Sequence, residues 1–472
     1  MSVQTLDARD PSPYGHKPVP TSALAHIPGD NGWPLVGHTL VVLSDPKGFV
    51  ERRAERYGPV YRSNAFGQSN VSLLGPHANE FVLLDSQKLF SSMFGWSVLL
   101  GRLFPRGLML LDFDEHRLHR RALSVAFKSG PMQSYLGQLN AGIAKGLAQW
   151  PCGREFKFYP AVKQLTLDLA ATSFLGEELG PELEVLKRAF IAMVAASVAV
   201  IRVPLPGTQM GRGVRGRALI VDYFNRQIPL RRERGGDDLF SQLCRATWED
   251  GSLLSNADIV DHMSFLMMAA HDTLTSSLTS FVYRLAANPL WQERVREDVR
   301  GLKLAAAEPL PFSRLDDLTL TEMAFKEAMR LAPPVPSVAA PGGARFRIHG
   351  LPHSGRRRHQ HQPALYTSHA ADLARPGALR SVALQCGSLA RAAQIRLRAV
   401  RRRRSYVSGI EFCLHAGQVL YVAFPEQIPS RNRPRLSTRL ENVAHPLSAR
   451  WPSRHLGAGL IPDADVASPI AR

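Results

Sequence analysis

A mostly α domain with a small β-sheet, covering about residues 29–338, is the fold class this sequence predicts, with the remainder non-native or disordered. Long segments whose apolar residues recur every three to four positions dominate the chain, and a single alternating stretch near 60–74 supplies the strand signal. The composition then breaks just after Ser337. Residues 341–472 hold 21 Arg, no Lys and six acidic residues, and therefore +15 of the formal +18. The first 340 residues are nearly balanced, at 37 Lys plus Arg against 34 Asp plus Glu. Folded surfaces mix both signs and both cations, so an Arg-only segment points to two joined coding registers.

The elements follow in chain order. Residues 1–28 form a Pro-rich extended lead, which runs into the Pro34-Leu-Val-Gly37 segment. Apolar residues at helical spacing predict a helix over 45–57. The alternation from Val60-Tyr61 to Val71-Ser-Leu-Leu74 predicts a hairpin, with Gly67 and Asn70 at its turn. Helices are then predicted at 132–149, 159–175, 180–198, 213–235, 256–287, 289–302 and 319–332. The apolar runs 264–270 and 190–203 are short, or broken by Arg202, against the ~18 residues a membrane span requires, so both are assigned to buried core helices. Residues 339–472 are the Arg-rich tail, whose scattered Pro and weak periodicity predict disorder.

Composition also excludes function classes. The four cysteines, Cys152, Cys244, Cys386 and Cys413, show no Cys-x-x-Cys or similar metal spacing, which argues against disulfide staples and for a reducing, cytoplasmic setting. The N-terminus begins with polar residues and prolines instead of a secretion signal, and no membrane span is expected. Arg clusters at 356–358 and 401–404 can hold anions electrostatically, but without interleaved aromatics they predict no specific nucleic-acid partner.

Three constellations can carry chemistry. The middle of the 256–287 helix reads Phe265-Leu-Met-Met-Ala-Ala-His-Asp-Thr273, where small Ala269 and Ala270 adjoin an acid and an alcohol, Asp272 and Thr273. A threonine bonding back to the carbonyl four residues earlier tends to open or bend a helix, and the resulting groove can relay protons into a dry pocket. Plain helix packing is the alternative. Glu327-Ala-Met-Arg330 places a carboxylate and a guanidinium on one helix face, either as an ordinary salt bridge or as an anchor for a neighbouring loop. In His116-Arg-Leu-His-Arg120-Arg121, His116 and Arg120 are co-facial and can clamp the carboxylates of an anionic ligand, or they can simply be a solvated basic face.

Order and spacing join the three. A basic helix near 118, Ala-Ala-x-Asp-Thr near 270 and Glu-x-x-Arg 55 residues after Asp272, followed by Leu331-Ala-Pro-Pro-Val335, resemble the cytochrome P-450 family of haem-thiolate monooxygenases, in its soluble bacterial form. The resemblance extends from about 29 to 338 and includes Pro34-Leu-Val-Gly37 and Leu111-Asp-Phe-Asp-Glu-His116. It implies a haem b cofactor, an apolar small-molecule substrate to be hydroxylated, and a ferredoxin or flavoprotein passing on electrons that come ultimately from NAD(P)H. His116 and Arg120 would be the haem-propionate donors, Ala269 would lie against the haem, and Asp272 with Thr273 would deliver protons during dioxygen activation. Glu327 and Arg330 would prop the loop beneath the haem. His271 would shape the groove, and segments 90–103 and 192–203 would roof the pocket.

The family's iron ligand is missing from its place. It should stand in a loop of the form Phe-x-x-Gly-x-x-x-Cys-x-Gly, where this chain reads Arg401-Arg-Arg-Arg-Ser-Tyr-Val-Ser-Gly-Ile410, so no metal ligand is assigned. The genetic code offers a reason. Codons CGG CGG for Arg contain GGC for Gly one base later, and TAT GTG TCT GGG for Tyr406-Val-Ser-Gly409 contains ATG TGT CTG, or Met-Cys-Leu. Residues 345–354 recode in the same register to a strand-like Asp-Ser-Glu-Phe-Thr-Ala-Tyr-Arg-Ile-Pro. A one-base shift between Ser337 and Ala340 would account for all of this. Cys413, in Tyr406-x-x-Gly409-x-x-x-Cys413-x-His415, is a loose echo of the ligand pattern, but four Arg stand where small residues let the backbone pass close to the haem. The expectation is a monooxygenase by family that is inactive as written. The alternatives are a non-catalytic relic or a basic anion-binding chain.

Overall fold

The structure, a computed structural model, describes residues 24–339 apart from 85–87, 89, 152–155, 177–179, 200 and 306–307, together with the strand 364–368. The described chain runs through α1 (Thr39–Ser44), α2 (Pro46–Tyr57), β1 (Val60–Ala65), β2 (Gln68–Leu74), α3 (Pro76–Leu83), α4 (Ser92–Leu100) and α5 (Phe113–Leu123). Then follow α6 (Ser129–Leu147), α7 (Phe158–Leu175), α8 (Gly180–Ser197), α9 (Gln209–Arg234) and α10 (Leu239–Cys244). The last elements are α11 (Asn256–Ala286), α12 (Pro289–Arg300), α13 (Thr319–Leu331), β3 (Ser337–Ala339) and β4 (Ala364–Ser368).

The sheet has the order β1-β2-β4-β3. β1 and β2 pair antiparallel down to Ala65↔Gln68, which leaves the two-residue turn Phe66-Gly67. Both turn residues have positive φ, 55° and 71°, as the hairpin turn that matches strand twist requires. Asn70, expected at the turn, instead pairs with Ser63 inside β2, because the tight two-residue turn closes before it. β4 pairs parallel to β2 and antiparallel to β3. Its sequence, Ala-Leu-Tyr-Thr-Ser, is rich in strand formers, a local signal hidden within the composition of the tail. The other tail assignments lie outside the described residues. Leu24 and Ile27, on the lead side of residue 29, are buried with Val71, Leu73, Val82 and Phe90 in a small core beside the sheet.

A large core unites α4 to α13 around α11, which at 31 residues is roughly 46 Å long. Ser255 starts α11 by accepting from the Asp258 amide at 3.1 Å while donating to the Asp258 carboxylate at 2.7 Å. α7 lies alongside, and the hydroxyls of Thr166 and Thr275 meet at 2.6 Å in the buried seam. α8 and α9 form a tight antiparallel pair because α9 turns glycines toward its partner. A Cβ on Gly216 would lie 2.5 Å from the Ala189 carbonyl oxygen, and one on Gly213 would lie 2.3 Å from the Ala196 Cβ. Gly216→Ala is therefore expected to lower stability by about 2 kcal/mol, since overpacking outweighs the gain in helix propensity. A reduced urea midpoint at unchanged slope is the reading that checks it, and a raised midpoint would disprove the close approach.

Candidate functional site

One face of α11 is open at its middle. Leu266, Ala269, Ala270, Thr273 and Ser276 recur at helical spacing and are only partly buried, whereas His271, Leu274, Thr275 and Leu278 on the other side are buried. The Thr273 hydroxyl donates to the Ala269 carbonyl at 2.6 Å and lies 3.4 Å from that of Ala270, as the back-bonding expectation required. The helix nonetheless runs unbroken from 256 to 286. The face is partly uncovered where the side chains at 269 and 270 are small, and no turn is opened. Asp272, next to Thr273, keeps about a third of its side chain in solvent, which is the position a group exchanging protons with water needs. One turn beyond Thr273, the buried Ser276 hydroxyl has no hydrogen-bond partner.

His271 does not shape this face. Its ring is 2 % exposed and turns toward α7, with Nε2 3.2 Å from the Lys163 carbonyl oxygen and Nδ1 3.3 Å from Asp272. Its place in the helical repeat decides this, because position 271 shares the buried side with 274, 275 and 278. Tyr159 at the start of α7 also senses this acid: burial first, and the Asp272 charge second, push its phenol up.

α5 carries the basic pair. Asp112, immediately before it, is buried and accepts from the Ser91 hydroxyl and from the amides of Ser92, at 2.7 Å, and Met93, at 3.2 Å. One carboxylate thereby caps the start of α4 and fixes where α5 begins. His116 and Arg120 lie one turn apart and are both partly buried. Between them His119 points the other way, into the core, where its Nδ1 is 2.8 Å from Nε2 of His262 on α11 and its ring packs edge-on against Trp248. Burial pushes both imidazoles down, His262 to about 3. Nothing in the sequence signals this pair, since its members are 143 positions apart.

The third constellation is a fork. Arg330 donates from Nε and Nη2 to the two carboxylate oxygens of Glu327, each at 2.7 Å. Glu327 is 1 % exposed and Arg330 20 %. α13 meets the C-terminal half of α11 through the edge-on pair Phe281 and Phe325. The three constellations are thus arranged along one helix. α5 docks at His262 and α13 at Phe281, with residues 269–273 between them, each about 14 Å away along the axis.

The expected roof segments do touch, but not as two buried helices. α8 ends at Ser197, and the expected core run 190–203 leaves the helix there, with Ile201 and Val203 exposed ahead of Pro204. Arg202 crosses to α4, donating to the carbonyls of Leu99 at 2.7 Å and Ser197 at 3.1 Å. Arg217 on α9 donates to the Leu103 carbonyl at 3.0 Å and to Asp261 at 2.8 Å.

These residues fit one side of a haem. The small-residue face of α11 leaves room for a flat ring, the orphaned Ser276 hydroxyl marks unfilled polar space beside it, and two co-facial donors on α5 suit its carboxylates. The iron ligand is not among the described residues. No group of three or more metal-ligating side chains occurs there, and the one described cysteine, Cys244, is buried, with its thiol pushed up to about 12 by desolvation. Cys413 lies outside the described residues, as do Cys152 and Cys386. No described helix is long and apolar enough to cross a membrane.

Comparison with known proteins adds the family. The family model for cytochrome P450 matches residues 27–340. Putative cytochrome P450 136 of Mycobacterium tuberculosis is 37% identical over 337 residues, covering 70% of this chain and 67% of that protein. Putative cytochrome P450 120 of Synechocystis is 31% identical over 323 residues, covering 67% of this chain and 71% of its own length. Among solved structures, retinoic acid bound cyanobacterial CYP120A1 superposes with a TM-score of 0.69 at 25% identity, covering 86% of this chain and 92% of that one.

Proposed function

The chain belongs to the cytochrome P450 family, whose members are haem-dependent monooxygenases, and from that premise we propose that its described residues form the substrate and proton side of a hydroxylase for an apolar small molecule. Relatives described as abscisic acid 8'-hydroxylase 2 of rice and taxane 10-beta-hydroxylase of Taxus cuspidata, 28% and 27% identical, support oxidation of a substrate at carbon. Bound haem would supply the redox chemistry of dioxygen, with electrons reaching it ultimately from NAD(P)H through a ferredoxin or flavoprotein in the cytoplasm.

The residues of this chain then have definite tasks. His116 and Arg120 would hold the haem carboxylates. Ala269 leaves space for its face. Asp272, partly in solvent, can exchange protons with water, and the Thr273 hydroxyl, whose own hydrogen is engaged by the Ala269 carbonyl, offers an oxygen lone pair that can accept a hydrogen bond on the same stretch of helix. The single observation that carries this reading is that hydroxyl-to-carbonyl bond beside a part-exposed acid on the open face of a buried helix. The Glu327 and Arg330 fork holds the C-terminal end of α13.

For the remainder, a one-base shift between Ser337 and Ala340 is the reading we favour. The charge balance breaks there, and the family match ends at residue 340. The chain as written then lacks its thiolate ligand. Reduced protein mixed with carbon monoxide is expected to show no thiolate-type Soret band, and a normal band would refute the shift. Sequencing the gene across codons 337–341 provides the independent check.

A further inference from the structure

The contact between α4 and the α8–α9 connector is unusual in its charge. Arg202 is partly buried, yet its hydrogen bonds go to the backbone carbonyls of Leu99, Ser197 and Ala199, and no carboxylate lies within ion-pair distance of it among the described residues. Charged groups removed from water normally have a counter-ion, because an unpaired one is costly. The neighbouring charge that acts on Arg202 is another cation, the exposed Arg102, and burial together with that repulsion pushes the guanidinium's proton affinity down. Arg102 has no described ion-pair partner either.

The two segments that carry the arginines also bear exposed aliphatic residues. Val98, Leu99, Ile201, Val203 and Leu205 are 48%, 39%, 64%, 53% and 57% exposed, and the Arg202 to Leu99 bond brings the two segments that bear them into direct contact. A collar of exposed aliphatic side chains around two cations without an acid is complementary to one kind of ligand: an apolar body ending in a negative charge.

We propose that Arg102 and Arg202 form an anion-reading pair where the α8–α9 connector meets α4, and that the substrate class is an apolar carboxylic acid. The aliphatic collar takes up the hydrocarbon part. Arg202, held by three carbonyls, presents its guanidinium edge, and Arg102 closes on the carboxylate from the solvent side. The inference rests on the hydroxylase reading only for the word substrate. Recognition of the acid needs no haem, so its test is separable from the carbon monoxide spectrum.

The test uses the full chain and two probes, a dansyl-tagged undecanoic acid and its methyl ester, titrated by fluorescence. The acid is expected to bind about tenfold tighter than the ester. Arg202→Met and Arg102→Met are each expected to abolish that preference while leaving ester affinity within about twofold, and Arg202→Lys to keep part of it. Arg102 makes no described bond to the connector, so loss of preference in Arg102→Met at an unchanged unfolding midpoint excludes mere loosening of the loop. Equal affinity for acid and ester in the unaltered chain overturns the proposal. So does a preference that survives both methionine variants, which would place acid binding in the Arg-rich tail. Binding of phosphatidylglycerol vesicles that depends on the two arginines, without any acid preference, would assign the surface to lipid and equally overturn it.

Discussion

Replacing Glu327 by Gln is expected to lower the stability of the chain by about 2–4 kcal/mol, read as a reduced urea midpoint at unchanged slope. The carboxylate is 1 % exposed and receives two hydrogen bonds of 2.7 Å from one guanidinium. Removing its charge leaves Arg330 four-fifths buried without its ion-pair partner, and the penalty is chiefly the desolvated cation that remains. The pair itself contributes little net stability, because both ions lost their hydration to form it. The paired change Glu327→Leu with Arg330→Met is therefore expected to restore most of the loss. If Glu327→Gln unfolds within 1 kcal/mol of the parent, the fork does not hold the end of α13, and the role given to it here is wrong.

How much of this was readable beforehand depends on whether a feature has a local signature. α6 to α9 and α11 to α13 were legible to within a few residues, because each buries a long apolar stripe with a 3.6-residue period. The short helices α1, α3, α4 and α10 carry too few turns to set a period and were missed. The back-bond of Thr273 to Ala269 was legible because it joins two residues of one helix. His119 to His262 and Arg202 to Leu99 were not, since each joins residues more than 100 positions apart. The direction taken by His271 was misjudged because adjacency in sequence suggested the groove, whereas the 100° turn per residue in a helix sends neighbouring positions to different faces.

The unequal legibility also explains why the tail stood out. Residues 24–339 agree across levels: pattern, caps, glycine contacts and ion pairs all favour the same fold. Asp112 caps α4, Ser255 caps α11, and the glycines of α9 face α8. Under the proposed shift of register such agreement would be lost, and an Arg-only charge is what that reading expects of the residues beyond it. The change in charge composition after residue 340 is visible in the sequence itself.

Acid should unfold the chain through the His119 and His262 pair. Both rings are buried and favour the neutral form, with burial as the principal cause, and His262 falls from an ordinary 6.5 to about 3. Below about pH 6.5 the unfolded chain binds a proton at this histidine that the folded chain refuses, so stability is fully present above that pH and declines as pH falls toward 3. Each unit corresponds to about 1.4 kcal/mol, which makes the loss from His262 alone about 2 kcal/mol at pH 5, with His119 adding in the same direction. One ring donates to the other at 2.8 Å, so a proton added to the pair puts two donors face to face. Replacing both rings, His119→Phe with His262→Leu, is expected to flatten this limb of the stability curve between pH 7 and 5 while costing little at neutral pH, because no orphaned polar atom remains. Carboxylates with lowered affinity for protons, such as Asp30 beside Arg53 and Tyr57, lose their stabilising charge only at a more acidic pH and cannot imitate the effect. An unfolding midpoint that stays constant from pH 7 to 5 in the parent chain would mean that water reaches the two rings and that α5 is not sealed against α11.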